Sequence, residues 1–236
     1  MTDTTQNKVL LAISAHPDDI EFAAGGTMFK FKKLGYDIYF IVATNGENGF
    51  KIEHKSRSVR VKTRHNEQLM SAKILGVKKV YFLNYKDCFL KYDDKLREQI
   101  AVIIKKVKPE IVFSFDPSNK SFESVNLLHR DHRVIAEAAF DAVFAARNRY
   151  MLQGETHSVK KFWSSGCDKP NYYVDITPFI KDKIKLIEAH RSQFGDHKSM
   201  NEWVKSHLSQ YTKKYKYSEK FRVVTVTQPF VKEGNK

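Results

Sequence analysis

The sequence predicts a three-layer α/β/α domain built on a mostly parallel sheet. Segments typical of buried strands alternate with segments of helical spacing, and short polar or glycine-rich loops join them. Such alternation is typical of parallel sheets that are covered by helices on both faces. No repeat or low-complexity linker interrupts the pattern, and 236 residues with 42% hydrophobic residues suit one globular domain. We therefore expect a single domain over 1–236.

Apolar runs rich in β-branched and aromatic residues predict the strands, because such side chains fit a pleated, buried surface. In chain order, strands are predicted at 8–14, 36–44, 78–83, 109–115 and 171–177, with an edge strand at 221–230. In parallel sheets, ligands bind outside the carboxyl ends of the strands. The segments His16–Asp19 and Asn45–Gly49, together with Asp116, are expected at that edge.

Apolar residues three or four positions apart predict helices between the strands. In chain order, the helices are predicted at 25–35, 60–76, 93–108, 132–147, 178–190 and 199–214. The first ends near Gly35, a residue type that is common just after a helix. The second is expected to bury Leu69, Met70 and Ile74 and to end at Gly76.

The formal net charge of +14 raises the question of an anionic partner such as nucleic acid. Residues 181–236 contribute half of it, with 13 Lys and Arg against 6 Asp and Glu. The segment YTKKYKYSEKFR interleaves tyrosines with lysines, as some nucleic-acid surfaces do. No groove-reading motif accompanies this charge, which favours a solvated face over a nucleic-acid surface. Nucleic-acid binding through the basic C-terminal region stays as an alternative.

The amino terminus carries neither a basic n-region nor a long apolar segment, which argues against a secretory signal or a membrane span. The two cysteines, Cys88 and Cys167, lie far apart and form no CxxC pair. They indicate neither a disulfide framework nor a thiolate zinc site. A cytoplasmic location is therefore expected.

The first predicted strand ends in an imidazole and two adjacent carboxylates, in AISAHPDDIEFAAGG. Pro17 fixes its own φ and disfavours the helical region for His16, so the turn is stiff. A stiff turn can direct the side chains of His16 and Asp19 at one point. An imidazole and a carboxylate are suitable zinc ligands, at distances of about 2.0–2.2 Å.

A second cluster, His129, Asp131 and His132 in LLHRDHR, follows the fourth predicted strand. One more imidazole from this segment completes a set of two histidines and one carboxylate, and leaves the fourth zinc position open for water. A carboxylate beside the metal can take a proton from that water, and a histidine can stabilise an oxyanion. These residue types therefore suit metal-assisted hydrolysis.

Each residue also has a structural interpretation. Asp18 or Asp19 alone suits a helix N-cap. His129 or His132 alone suits a surface histidine, and the second cluster as a whole suits the polar start of a helix. The occurrence of both clusters at strand ends of one sheet favours the metal site.

The segments AHPDDIE and GGT, with the later HRDH, resemble the zinc-dependent N-deacetylases of the PIG-L/LmbE family. ATNGENG, RHNEQLMSAKILGVKKVYFLNYKD and NYYVDITPFIKDKIKLIEAHRSQ are similar to further segments of that family. The resemblance covers about 8–194 and leaves the basic extension at about 199–236 as the least similar part. Ile20 and Leu127 differ from the acidic residues that many relatives carry there.

The resemblance implies a Rossmann-like fold and removal of acetyl groups from amides of the N-acetylglucosamine type. It assigns roles to eight residues: the Zn²⁺ ligands His16, Asp19 and His132; the general base Asp18; oxyanion stabilisation by His129, supported by Asp131; and contacts to sugar hydroxyls by Arg64 and Asp87. Arg64 could equally pair with Glu67 along its helix.

The sequence therefore predicts a zinc-dependent N-deacetylase with a small N-acetylated amino sugar or glycoconjugate as its substrate. The alternatives are a zinc hydrolase of another amide or ester, a metal-binding domain without catalysis, and the non-enzymatic nucleic-acid-binding protein. Intact Asp18 and His129 argue against lost catalysis. The expected edge strand at 221–230 would suit pairing in a homo-oligomer.

Overall fold

The structure is a computed structural model, which describes residues 8–49, 56–119, 129–194 and 197–226, without the side chain of residue 197. Its strands are β1 (Val9–Ser14), β2 (Asp37–Thr44), β3 (Lys79–Tyr85), β4 (Ile111–Phe115), β5 (Lys161–Ser165), β6 (Tyr172–Asp175) and β7 (Ser218–Thr225). Its helices are α1 (Asp19–Lys33), α2 (Arg57–Leu75), α3 (Asp94–Val107), α4 (Arg130–Arg147), α5 (Ile180–Glu188), α6 (Arg191–Phe194) and α7 (His197–Ser209). The predicted α/β class with a mostly parallel sheet is confirmed.

The seven strands form one sheet in the order β3-β2-β1-β4-β5-β7-β6. Strands β1 to β5 are parallel, and β7 runs antiparallel to both β5 and β6. The chain leaves β1 towards β2 on one side and later adds β4 on the other. A reversal of this kind opens a crevice at the carboxyl ends of the two central strands, where open α/β sheets bind ligands.

Helices cover both faces of the sheet, because successive residues of a strand point to opposite sides. Leu11 and Ile13 of β1 belong to an apolar core with α3 and α4. Leu10 and Ala12 belong to a second core with α1, α5 and α7. The central strands are therefore buried on both faces, as their nearly continuous apolar sequence predicts.

Helix α1 begins at Asp19, six residues earlier than predicted, and Gly26 lies inside it. A Cβ atom on Gly26 would lie 2.7–2.9 Å from three side-chain atoms of Ile176. Glycine is therefore required here by the close approach of the segment before α5. The early start also makes Asp19 the first residue of the helix.

A buried ion pair, which we call the Lys183–Glu219 pair, joins α1 to α5 and β7. Lys183 Nζ lies 2.7 Å from Glu219 Oε1 and donates to the carbonyl oxygens of Glu21, at 3.0 Å, and Phe22. The Glu219 carboxylate accepts the backbone N–H groups of Gly26 at 3.0 Å and Thr27 at 2.7 Å. The pair thus satisfies main-chain groups in the middle of the helix that carries Asp19.

The predicted buried face of α2 is wrong. Leu69, Met70 and Ile74 are 49%, 54% and 41% exposed. The buried residues are instead Arg64, Gln68, Ser71, Ala72 and Leu75. This face is mostly polar because it lies against polar groups of α1 and the preceding turn, including Asp18 and Glu21.

Two further predictions are corrected at the C-terminal side of the sheet. Strand β5 was not predicted, because KFWSS is short and ends in two buried serines. The strand expected at the edge is β7, which lies between β5 and β6 and gives no free edge for a homo-oligomer. The remainder of that predicted strand, 227–230, lies outside the described residues. Among the described helices, none has the length and apolar character required to cross a bilayer.

Candidate metal centre

The two sequence clusters meet at the carboxyl edge of the sheet. His16 and Asp19 follow β1, and His129, Asp131 and His132 lie at the start of α4, after β4. Because β1 and β4 are adjacent parallel strands, their following segments flank the same crevice. The centre therefore occupies the position where the order of the strands reverses.

Three donors converge within this crevice. His16 Nδ1 lies 3.1 Å from His132 Nε2, Asp19 Oδ2 lies 3.4 Å from His16 Nδ1, and Asp19 Oδ1 lies 3.1 Å from His132 Nε2. Ligands of a tetrahedral Zn²⁺ with bonds of about 2.0–2.2 Å lie roughly 3.3–3.6 Å from one another. The observed spacing is close to that range, so one ion can be shared by these three side chains.

Two further sets of donors also include His16. It forms one with His129 and His132, and another with Asp87 and Asp131, and the ligand atoms of each set lie within 4.8 Å of one another. Asp87 and Asp131 face the other nitrogen of His16, whereas Asp19 and His132 share its Nδ1 side and both line a cleft. This arrangement favours His16, Asp19 and His132 as the direct ligands. The other residues then surround them.

Two carboxylates face the second nitrogen of His16. Its Nε2 lies 3.1 Å from Asp87 Oδ1 and 3.4 Å from Asp131 Oδ2. Asp131 is held by the backbone N–H groups of Cys88 at 2.8 Å and Leu90 at 3.2 Å. A metal-bound histidine commonly has a carboxylate at its other nitrogen, which orients the ring and raises its basicity. The arrangement of His16 fits that pattern.

The two histidines of α4 have different surroundings. His129 is the N-cap of the helix, and its Nδ1 accepts the backbone N–H of Asp131 at 3.2 Å. In the neutral ring this bond leaves the hydrogen on Nε2. The ring of His132 stacks on Phe115, with centroids 4.1 Å apart. The stacking holds His132 Nε2 towards Asp19.

Charge within the cluster shifts several pKa values. Burial would lower the pKa of His16, but Asp19, then Asp131 and Asp87, raise it well above its usual value. Burial would raise the pKa of Asp19, but His132 and His16 lower it below its usual range. Burial likewise opposes ionisation of Asp87, yet its contacts with His16 lower its pKa to about 2. The carboxylates are thus held ionised by imidazoles.

Asp18 lies beside these donors and is held from behind by α2. Its φ of 97° is in the left-handed region, which is uncommon outside glycine, and its side chain forms no cap hydrogen bond. Its Oδ2 accepts from Arg64 Nη2 at 2.8 Å, and its backbone N–H donates to Gln68 Oε1 at 3.1 Å. Burial raises the pKa of Asp18, although Arg64 opposes this shift. The N-cap interpretation therefore describes its position but not its side chain.

The residues fit a divalent cation. Four carboxylates, those of Asp18, Asp19, Asp87 and Asp131, lie in or beside the cluster, and Arg64 is their sole Lys or Arg ion-pair partner among the described residues. The two imidazole nitrogens that face each other, His16 Nδ1 and His132 Nε2, lie 3.1 Å apart, and each also lies close to the Asp19 carboxylate. A cation between them would be shared by all three side chains. Imidazole and carboxylate donors are suited to Zn²⁺.

A cleft of about 870 Å³ opens onto the centre. Asp18, Asp19 and His132 are among its lining residues, together with residues of α7. A more open groove of about 1040 Å³ runs between α2 and β3 and is lined by none of the three converging donors. The 870 Å³ cleft is therefore the candidate substrate site, although the other groove is larger.

The structure brings together all eight residues singled out from the sequence, but with different partners for some. Asp131 faces His16 rather than the ring of His129, and Asp87 also contacts His16. Arg64 is 1% exposed and lies behind Asp18, so a contact with a sugar hydroxyl has no support in this arrangement. Its alternative partner, Glu67, is farther away at 3.9 Å.

Gln68 and the cleft wall on α7 were not predicted from the sequence. Gln68 joins the backbone of Asp18 to the Glu21 carboxylate, where its Nε2 donates at 2.7 Å. The polar residues along the predicted amphipathic helix were the signal that could have identified Gln68. For α7, the basic charge of the surrounding segment concealed the aromatic residues that line the cleft.

Comparison with known proteins gives consistent matches. The PIG-L family profile, described as GlcNAc-PI de-N-acetylase, matches residues 11–143. The diacetylchitobiose deacetylase of Thermococcus kodakarensis is 32% identical over 195 residues, which cover 80% of this chain and 71% of that protein. The solved N,N′-diacetylchitobiose deacetylase of Pyrococcus horikoshii is 30% identical with a TM-score of 0.85, over 93% of this chain and 85% of that one.

A relative with a different activity has similar identity. The 4-oxalmesaconate hydratase of Pseudomonas putida is 30% identical over 198 residues, which cover 80% of this chain and 75% of that protein. Proteins with these similarities to this chain thus include both deacetylases and a hydratase. The residues of the cleft must therefore carry the functional argument.

Proposed function

The chain belongs to the PIG-L family, and we propose that it is a zinc-dependent N-deacetylase that hydrolyses the acetamide of an N-acetylglucosamine-type sugar. The observation that carries this proposal is the convergence of His16, Asp19 and His132 beside a buried, unligated carboxyl, Asp18. Metal ligands and an adjacent base at the end of one cleft are the requirements for metal-assisted hydrolysis.

We assign the metal to His16, Asp19 and His132. A bound Zn²⁺ lowers the pKa of its water towards neutrality and polarises a carbonyl oxygen. Asp87 and Asp131 act on the ligand His16, whose ring they orient from the opposite side. In this proposal Asp131 therefore supports the metal ligand, not His129.

Asp18 is the general base. It lies next to a metal ligand, lines the cleft, and is fixed by Arg64 and Gln68, so its carboxylate can accept the proton of the attacking water. Burial raises its pKa, which makes the Asp18 carboxylate a stronger base for the proton of the attacking water. The carboxyl protonated in that step then holds the proton that the departing amine needs. Asp18 therefore can serve both proton transfers of amide hydrolysis.

His129 stabilises the oxyanion. Burial, then the charges of His16 and His132, lower its pKa, so the ring is neutral near pH 7. Because its Nδ1 accepts from the backbone, the hydrogen lies on Nε2, which is 3.8 Å from the Cys88 sulfur. A preorganised donor of this kind is worth roughly 10²–10³-fold in turnover.

The similarity to the hydratase supports a second candidate function. Addition of water to a carbon–carbon double bond also needs a base and an activated water, and the same centre could supply both. A zinc hydrolase acting on another amide or an ester would use the same residues as well. Substrate, not site geometry, separates these possibilities.

The test is acetate release from N-acetylated sugars by the zinc-loaded protein, compared with an unsaturated dicarboxylate and a simple acetyl ester. We expect deacetylation, and Asp18→Asn should lower it by about 10²–10⁴-fold while the variant retains one metal ion. Asp141→Asn is the matched control, because Asp141 is exposed and binds only Tyr92 among its described hydrogen-bond partners. Near-normal deacetylation by Asp18→Asn would refute the role of this base, and activity confined to the unsaturated acid would refute the deacetylase.

A further inference from the structure

Helix α7 supplies an aromatic wall to the cleft, away from the metal centre. Trp203 and His207, one turn apart, stack with ring centroids 4.9 Å apart and an interplanar angle of 10°. The hydroxyl of Tyr211 hydrogen-bonds to His207 Nε2, and Tyr211 lines the same cleft. These contacts fix the orientation of the Trp203 ring, although the residue is 55% exposed.

A second pair of aromatic rings connects this wall with the metal centre. Phe22 lies three residues after Asp19 on α1, and its ring centroid is 4.6 Å from that of Phe194. Phe22, Phe194 and Met200 line the same cleft as Asp19 and Trp203. The cleft therefore has apolar surface next to a metal ligand, at Phe22, as well as on α7.

The part of the cleft next to α7 is suited to an uncharged sugar ring. Lys183 and Glu219 both line it, but they neutralise each other in a buried pair. The amine of Lys220 lies 4.6 Å from the centroid of Tyr211, against an aromatic face. Pockets of this composition bind apolar surfaces and use a few polar groups for orientation. A pyranose ring presents such a surface on its C–H face and hydroxyls at its edge.

We infer that Trp203, with Phe22 and Phe194, forms a subsite for a second, neutral sugar ring joined to the N-acetylated ring that reacts at the metal centre. The inference rests on the proposed deacetylase function and specifies its substrate as a two-ring compound. Trp203 is then a specificity-determining residue, since it contacts the ring that does not react. The cleft volume of about 870 Å³, near the upper end of the usual range for small-molecule sites, leaves room for both rings.

The test compares kcat/KM for N-acetylglucosamine with kcat/KM for N,N′-diacetylchitobiose. We expect the wild type to prefer the two-ring substrate by about tenfold or more, the effect of one aromatic stacking contact together with its buried area. Trp203→Ala should lower kcat/KM for the two-ring substrate about tenfold and change that for the single ring less than about twofold. Trp203→Phe should retain most of the preference.

Phe144→Ala is the matched control, because Phe144 is an exposed aromatic residue on α4, on the other face of the sheet. It should change neither value. Equal losses on both substrates in Trp203→Ala, or no loss on either, would overturn the subsite while leaving the deacetylase intact. Melting temperatures should stay close to that of the wild type, since Trp203 is largely exposed.

Binding can be measured without turnover. The chain has two tryptophans, and the other, Trp163, is buried and does not line the cleft. In the zinc-loaded Asp18→Asn protein, diacetylchitobiose should therefore change the fluorescence, and the change should be absent in Asp18→Asn/Trp203→Phe. A fluorescence change, together with no deacetylation by the wild type, would refute the proposed function but support the subsite; no change would refute the subsite.

Discussion

Two buried groups of charged residues contact α1, and they differ in how their charges are satisfied. The Lys183–Glu219 pair lies against the middle of the helix, and the metal centre lies at its start. In the pair, one ammonium meets one carboxylate at 2.7 Å, and both also bind main-chain groups of α1. Every partner is supplied by the protein, so the pair has a structural role.

The metal centre has the opposite arrangement. Carboxylates outnumber permanent cations, since Arg64 is the one Lys or Arg ion-pair partner of the four carboxylates among the described residues. Three side chains, those of His16, Asp19 and His132, instead face a common point. Buried charge that the protein leaves uncompensated at one point indicates a ligand, whereas compensated buried charge does not.

The largest expected effect comes from removing a metal ligand. His132→Ala should lose stoichiometric zinc and lower deacetylation by on the order of 10³-fold or more, because the metal supplies both water activation and carbonyl polarisation. Metal content after dialysis, measured by mass spectrometry, checks this. The free energy of unfolding without metal should also fall, because the ring contacts Asp19 and stacks on Phe115, so metal content is compared on the folded fraction of each protein. Full zinc occupancy in His132→Ala would contradict the assignment. His157→Ala is the control, because the His157 ring hydrogen-bonds to the carbonyl of Pro109, does not line the cleft and should not affect metal content.

The second prediction concerns the Lys183–Glu219 pair, where a substitution should change the stability of the protein and leave its metal content unchanged. Lys183→Met should lower the free energy of unfolding by about 3–5 kcal/mol, because it leaves Glu219 buried without its counter-charge. The double variant Lys183→Met/Glu219→Gln should recover part of that loss. Urea unfolding checks both variants. The folded protein should keep one zinc, and loss of metal at unchanged stability would remove the distinction between the two regions.

The sequence was sufficient for the parallel class of the sheet, for the sheet edge at which the two clusters lie and for the residue types of the metal centre. Apolar strands and the turn at Pro17 depend on local sequence, so their structural consequences can be predicted. The partners of Arg64 and Gln68 could not, because Asp18 and Glu21 lie about 50 residues away. The wrong prediction that Leu69, Met70 and Ile74 are buried has the same cause. Helical spacing identifies an apolar face of a helix, but it does not show which face packs against the rest of the domain.

A third, smaller effect is expected from the carboxylates behind His16. Asp131→Asn should weaken zinc affinity about 10–100-fold with all three ligands intact, because Asp131 orients the ring and raises its basicity. Competition with a chelator of known affinity measures this. Asp141→Asn, on the same helix, should leave zinc affinity unchanged. If Asp131→Asn bound zinc as tightly as the wild type, Asp131 would have only the structural role of holding Cys88 and Leu90.

The smallest effect tests a group that shares features of both regions. Arg64 and Asp18 are a buried pair, like Lys183 and Glu219, but Asp18 also lines the substrate cleft. Burial raises the pKa of Asp18 and Arg64 opposes that shift, so Arg64→Met should raise it further. Because the base must be deprotonated, activity would then be lost at a higher pH during acidification. The acid limb of the kcat/KM profile should move upwards by about one pH unit.

Arg64→Lys separates charge from shape at this position. A lysine retains the positive charge, so its acid limb should move less than that of Arg64→Met, even where both variants are destabilised. The profile is measured on the folded, zinc-loaded fraction and needs no comparison of absolute rates. An acid limb that stays in place in Arg64→Met would mean that Arg64 does not control the proton of Asp18. The Arg64–Asp18 pair would then be a structural tie of the same kind as the Lys183–Glu219 pair.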